Sequence, residues 1–210
     1  MTRVYLLRHA SARLSEDQSD TDLFSTSDTG LSERGVAEAR AAAAALAEVP
    51  IEAVFASDAQ RAQHTARIVA EQHGLDVAVE PALIEVSFGP YGAPYRRIIE
   101  AILAIPDLFE AAADPLFPNG ETHSQALARL TGAITRVARG NRHVVAVSHG
   151  IANRIVLGHA LGLPGRELLR IDQDHACINV LDVEDGRIRV LGVNGRTAAP
   201  DPALRTDGYT

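Results

Sequence analysis

The run "LLRHASA", residues 6–12, ends an apolar stretch on Arg8 and His9, a guanidinium and an imidazole that both resist burial. Two further apolar runs end in the same way. "IEAVFAS" passes into Ser57 and Asp58, with Arg61 one helical turn on, and "HVVAVSH" closes on Ser148, His149 and Gly150. An arginine fork matches phosphate oxygens bidentately, and a helix N-terminus favours an anion. An imidazole is nucleophilic and largely neutral near pH 7, and neighbouring cations oppose its protonation. Attack of such a ring on phosphorus makes a phosphohistidine and divides hydrolysis into two easier steps. The arginines and His149 would then stabilise charge on the equatorial oxygens. The departing alkoxide needs a proton, and Glu85, in the apolar context "PALIEVSFG", is the donor that the sequence offers.

A metal is the competing chemistry, since His9, His149, Asp58 and Glu85 are all plausible ligands. Two arginines set against a cation would repel it strongly in a low-dielectric pocket. The pattern therefore reads as an oxyanion pocket, with no metal and no cofactor.

These residues need a scaffold that brings three chain segments to one edge. The run "VYLLRH", residues 4–9, reads as a short buried strand without polar alternation, as a parallel sheet covered on both faces requires, and 51–57, 75–80 and 143–149 read as further strands. Helices alternate with them. Ser32 is placed to cap an Ala-rich helix, Asp58 to cap the next, and Gly74 to stop it. Leu127, Leu130, Ile134 and Val137 mark a core helix over about 122–139, a further helix follows Gly150, and a hairpin turns at Asp185-Gly186. The expected fold is a three-layer α/β/α sandwich on a mostly parallel sheet. In such an open sheet a ligand sits beyond the carboxyl ends of the strands, which is where the three runs end. Residues 1–210 read as one domain, with 13–30 as a loop, 86–120 as a Gly- and Pro-rich lid-like insertion carrying one helix near 95–104, and 195–210 as a loose tail.

The bulk numbers narrow the partners. A net charge of −7, with all 20 basic residues arginine, argues against broad binding to nucleic acid or an anionic membrane. An anion must instead be caught locally, by a few well-placed arginines. The single cysteine, Cys177, excludes an internal disulfide and fits a reducing, cytoplasmic setting, and no run approaches the length of a membrane span. Association into a homodimer is left open.

Five motifs, "LLRHASA", "SDAQRAQHTA", "LIEVSFGPYG", "PNGET" and "VSHG", in this order, resemble the histidine phosphatase superfamily, the phosphoglycerate-mutase-like group, from residue 4 to about 183. The resemblance implies His9 as the phosphorylated nucleophile, Arg8, Arg61 and His149 with Gly150 around the phosphate, Glu85 as proton donor, and 86–120 as a lid that shapes substrate choice. It also implies that no metal is needed. Ala10 stands where the family usually has glycine, and Ala12 and Ser15 where it often has threonine and asparagine. Ser15 is thus the candidate for a secondary substrate contact. The mutases of this group carry a His-Tyr-Gly run after the acid, whereas this chain has "EVSFGPYGAPYRR", which favours a phosphatase. The leading expectation is a small-molecule phosphomonoesterase. The alternatives are a phosphohistidine protein phosphatase, mutase-type phosphotransfer and a non-catalytic phospho-ligand binder. His175, just before a strand, is a candidate substrate contact, and Arg96 and Arg97 are candidates for a second anionic group. His64, His73, His123, His143 and His159 read as structural or solvated.

Overall fold

The computed structural model describes residues 1–13, 29–87 and 120–195. Six strands, β1 (Thr2–Arg8), β2 (Ala53–Ala56), β3 (Val77–Val79), β4 (His143–Ser148), β5 (Ile178–Glu184) and β6 (Arg187–Gly195), form one sheet in the order β3-β2-β4-β1-β5-β6. β3, β2, β4 and β1 run parallel, while β5 and β6 are antiparallel to their neighbours. The sheet is thus mostly parallel, as expected, with an antiparallel hairpin at one edge. That hairpin turns at Asp185 and Gly186, both with positive φ (49° and 77°), as its type of tight turn demands.

Among the described residues four α-helices cover the sheet: α1 (Glu33–Leu46), α2 (Gln60–His73), α3 (His123–Ala138) and α4 (Gly150–Leu161). The period-two geometry of strands sorts the apolar residues onto two faces. Tyr5, Leu7, Val145 and Val147 join the alanines of α1 and α2, including Ala39, Ala42, Ala62 and Ala66, in one buried cluster. Val4, Leu6, Val144 and Ala146 join Leu130 and Ile134 of α3 and Ile155 of α4 in the other. Full burial of each leucine or isoleucine contributes about 1.5–3 kcal/mol. The small alanine faces let α1 and α2 lie close to the sheet.

Ser32 caps α1 as expected, its hydroxyl accepting the Gly35 N–H at 3.1 Å. Gly74 ends α2 in the left-handed region at φ 66°. Asp58 does not cap α2. The helix starts at Gln60 with Ala59 in the cap position, so Asp58 falls one residue too early and stays exposed. α3 opens with a reciprocal pair that periodicity alone does not reveal: Thr122 Oγ1 accepts the Gln125 N–H, and Gln125 Oε1 accepts the Thr122 N–H. Within α3, Leu130, Ile134 and Val137 are buried, while Leu127 is partly buried at the edge of the core. β3 is shorter than the 75–80 run predicts, because Glu80 and Pro81 leave it for a 3₁₀ turn, Pro81–Leu83.

The expected lid and tail lie outside the described residues apart from their ends. Gly195 is the last residue of β6 and not part of a tail. Ser87 O accepts the Glu121 N–H at 2.7 Å, so the two ends of the insertion meet. The ends of the 13–30 loop also pair, through Arg13 N–H on Gly30 O at 2.9 Å and an Ala12–Leu31 bridge. Among the described residues no helix is long and apolar enough to cross a membrane.

Candidate active site

Strand register brings the three polar run ends together. Arg8 pairs with Ser148, and Ala56 with Val147. Beyond those pairs the His9 N–H reaches Ser148 O at 2.9 Å and the Ser57 N–H reaches Val147 O at 3.1 Å. Ser57, His149 and His9 therefore stand side by side at the carboxyl edge of β2, β4 and β1. The two imidazoles meet edge to face, with centroids 5.1 Å apart.

Hydrogen bonding sets the proton position on each ring. His9 Nδ1–H donates to Ala10 O at 2.8 Å, and Arg61 Nε–H donates to His9 Nε2 at 3.2 Å. His9 Nε2 therefore presents its lone pair to the pocket. Arg61 Nη2 lies 3.3 Å from His149 Nδ1, and a guanidinium only donates, so His149 carries its proton on Nε2 and gives it to Ser57 Oγ at 2.8 Å. Burial pushes the pKa of both imidazoles well below the ordinary value of 6.5. The His149 ring, Arg8 and Arg61 add to this at His9, and Arg61, Arg8 and Arg129 at His149. Both rings are thus held neutral.

This has a consequence for stability. A depressed folded pKa means that the unfolded chain binds more protons below pH 6.5, so the stability these rings contribute is present above 6.5 and is lost as the pH falls toward their folded values. The urea midpoint should drop between pH 6.5 and 5, and His149→Gln should flatten the drop. An unchanged midpoint across that window would contradict buried neutral imidazoles.

Several residues that sequence reasoning missed hold this geometry. Thr65, fully buried on α2, donates its hydroxyl to Arg61 O at 2.8 Å and accepts the Ala10 N–H at 3.0 Å. It ties the turn carrying Arg61 to the peptide whose carbonyl fixes the His9 tautomer. Glu38 Oε2 accepts both the Ser11 N–H (2.9 Å) and the Ser11 hydroxyl (2.8 Å), while Arg34 holds the other oxygen at 2.8 Å. Gly35 permits this approach, since a Cβ there would lie 1.9 Å from Ser11 O. Arg8 donates to Gln173 O, and its Nε is buried with no hydrogen-bond partner among the described residues. A donor left in that condition favours an anionic ligand that can accept from it.

Glu85 sits at the N-terminus of α4, the helix capped by His149. Its carboxylate accepts the N–H groups of Ile151 (3.1 Å), Ala152 (2.8 Å) and Val86 (3.0 Å). The sequence reading gave this helix end to an incoming anion, with Gly150 in contact. In the structure the Glu85 carboxylate occupies two of its N–H groups, because the 3₁₀ turn delivers it there, and Gly150 is the first residue beyond that pair. A chain of contacts fixes the delivery. Glu121 pairs with Arg129 at 2.6 Å, Arg129 Nη1 donates to Ala82 O and Ile84 O, and Ser148 Oγ–H donates to Leu83 O at 2.6 Å. The "PNGET" motif thus contributes through Glu121, a role that its sequence alone did not disclose.

His9, Arg8, Arg61, His149, Gly150 and Glu85 therefore gather around one sheet edge, whereas the Asp58 side chain is exposed. Ser15, Arg96 and Arg97 lie outside the described residues. His175 is close, its ring centroid 5.7 Å from that of His9. His64 has a structural contact, with Nδ1 3.4 Å from the Leu31 N–H, and His143 stacks on Tyr5 at the far end of the sheet.

The chain and its fold match a known class. The family model of the histidine phosphatase superfamily (branch 1) covers residues 4–196, and the chain belongs to that superfamily. Among its relatives, the "Probable phosphoglycerate mutase GpmB" of Enterobacter sp. (strain 638) is 28% identical over 193 residues, 88% of this chain and 86% of that protein. The adenosylcobalamin/alpha-ribazole phosphatase of Escherichia coli (strain K12) is 25% identical over 216 residues, 96% of this chain and 100% of that protein. The mycobacterial glucosyl-3-phosphoglycerate phosphatase, solved with inorganic phosphate, is 26% identical and superposes with a TM-score of 0.72 over 94% of this chain and 99% of its own.

Proposed function

We propose that the protein is a metal-independent phosphatase that hydrolyses a small-molecule phosphate monoester through a phosphohistidine on His9. The observation that carries this reading is the His9 tautomer: Nδ1–H is tied to Ala10 O, and Nε2 faces Arg61 at 3.2 Å in a buried site. An arriving phosphoryl group draws Arg61 onto its oxygens, because a charge-assisted bond to a dianion outweighs one to a neutral ring. His9 Nε2 is thereby freed to attack phosphorus. The N–P bond forms as the P–O ester bond breaks, and Glu85 gives its proton to the departing oxygen. Water then attacks the phosphohistidine: a new P–O bond forms as the N–P bond breaks and returns its electron pair to His9 Nε2, Glu85 takes the proton of the water, and inorganic phosphate leaves.

Ser57 has a part in this sequence. Its hydroxyl either accepts from or donates to His149 Nε2, so the ring can move its proton to Nδ1 and offer it to a phosphoryl oxygen without losing a hydrogen bond. Arg8 supplies a further donor through its buried Nε.

Mutase-type phosphotransfer is the second reading, favoured by the relatives bearing the phosphoglycerate mutase name. Both share the first step and differ in what accepts the phosphoryl group. The test is incubation with p-nitrophenyl phosphate in EDTA, followed by acid-labile phosphate trapping. Sustained release of inorganic phosphate, with label on His9, supports the phosphatase. Loss of activity on chelation with recovery on a divalent ion overturns the metal-independent pocket, and transfer of phosphate mainly to an added phosphoglycerate favours the mutase.

A further inference from the structure

The turn that follows residue 172 carries more anchoring than a surface loop requires. Arg8 Nη1 donates to Gln173 O, and the Gln173 side chain bonds Asn179 and Asn153 in the interior. Asp174 is held at both its N–H (2.7 Å) and its carboxylate (3.0 Å) by Asn194, itself at φ 51°. The Cys177 N–H closes onto Asp174 O at 3.2 Å, and the Ala176 N–H reaches His9 O at 3.4 Å. Ala176 is buried and left-handed at φ 56°, a conformation that is unfavourable for a non-glycine residue and persists only where its surroundings impose it. What this strained, bolted turn displays is a single exposed side chain, His175. Its ring sits 5.7 Å from that of His9. By strand order the sheet edge thus carries Ser57, His149, His9 and His175 in sequence, with the last on the flank of His9 away from Arg61 and His149.

We propose that His175 is a specificity-determining residue that hydrogen-bonds a hydroxyl group on the alcohol portion of the substrate. The inference rests on the phosphatase reading and deepens it. Being exposed, the ring stands at the mouth, where the group beyond the ester oxygen must lie. The charges around it come from β1 (Arg8), α1 (Arg34 and Glu38) and its own turn (Asp174). Among the described residues the arginine that α1 brings to this flank, Arg34, is already paired with Glu38 at 2.8 Å. Desolvation at the crowded site and the Arg8 guanidinium, opposed by Glu38 and Asp174, lower the His175 pKa and keep the ring neutral. A neutral imidazole has one donor and one acceptor, which suits a hydroxyl and gives little to an anion.

The test compares sn-glycerol 3-phosphate with propyl phosphate, which lacks the hydroxyls, on wild type, His175→Ala and His175→Gln. His175→Ala should lower kcat/KM for glycerol phosphate roughly three- to tenfold, the scale of one hydrogen bond, chiefly through KM. Propyl phosphate should stay within twofold, inhibition by inorganic phosphate should be unchanged, and His175→Gln should recover part of the loss. Equal loss on both esters, no loss on either, or weakened phosphate inhibition overturns the proposal. Calorimetric binding of the two esters is measured in parallel, so that a wild type that hydrolyses neither ester refutes the phosphatase reading while the binding difference still decides the role of His175.

Discussion

His9→Ala should abolish turnover of phosphate esters and all covalent labelling, yet leave inorganic phosphate bound within a few-fold of wild type. Removing an attacking group costs on the order of 10⁴ or more in kcat, because the remaining groups only stabilise charge and orient the ester. Phosphate affinity should survive because the groups proposed to bind it are Arg8, Arg61 and His149, and the anchors of Arg8 on Gln173 O and of His149 on Ser57 do not depend on the His9 ring. Arg61 loses one acceptor in His9 Nε2 but keeps its contact to His149. Acid-quench trapping with mass spectrometry on wild type and mutant is the measurement. Residual phosphohistidine in His9→Ala, or label on another residue of the wild type, would refute His9 as the nucleophile. A loss of phosphate binding as large as the loss of turnover would mean that the ring builds the pocket and does not react in it.

The polar residues that end apolar strands were legible in the sequence because burial is the exception that needs a reason. Arg8, His9, Ser148 and His149 violate the pattern of their own runs, and parallel pairing converts that violation into proximity. The sandwich was legible for the same reason, from strands with no polar alternation. What stayed hidden are the residues that act through tertiary contacts. Thr65 reads as an ordinary helical threonine, and only the fold shows its hydroxyl shared between Arg61 O and the Ala10 N–H. Gly35 sits inside a helix, where it lowers propensity by about 1 kcal/mol, and that mismatch was the available signal of a close approach. Asp58 was misjudged by a single residue of helix boundary, which is the least determined feature of a local pattern. Glu85 stands out in the sequence by its apolar context, but its seat on the N–H groups of α4 depends on Arg129 and Glu121, far away in sequence.

That seat shapes what Glu85→Gln will do. With p-nitrophenyl phosphate the mutant should still release a burst of p-nitrophenol stoichiometric with enzyme, because this leaving group departs with little protonation. Turnover after the burst should be slow, since the attack of water on phosphohistidine also needs a base. With an alkyl phosphate the first step itself fails, and kcat/KM should fall by roughly 10²–10⁴, the range of a lost general acid. The substitution keeps the shape of the side chain but replaces one acceptor oxygen by an NH₂ that cannot accept from α4, so some loss at the helix end follows on structural grounds alone. The two effects separate by substrate. A distorted helix end displaces His149 and would slow both esters equally and erase the burst, whereas loss of the acid spares the burst and removes only the alkyl ester. A thermal midpoint within a few degrees of wild type confirms that α4 has stayed in place. A mutant that hydrolyses both esters at wild-type rates would remove Glu85 from the reaction.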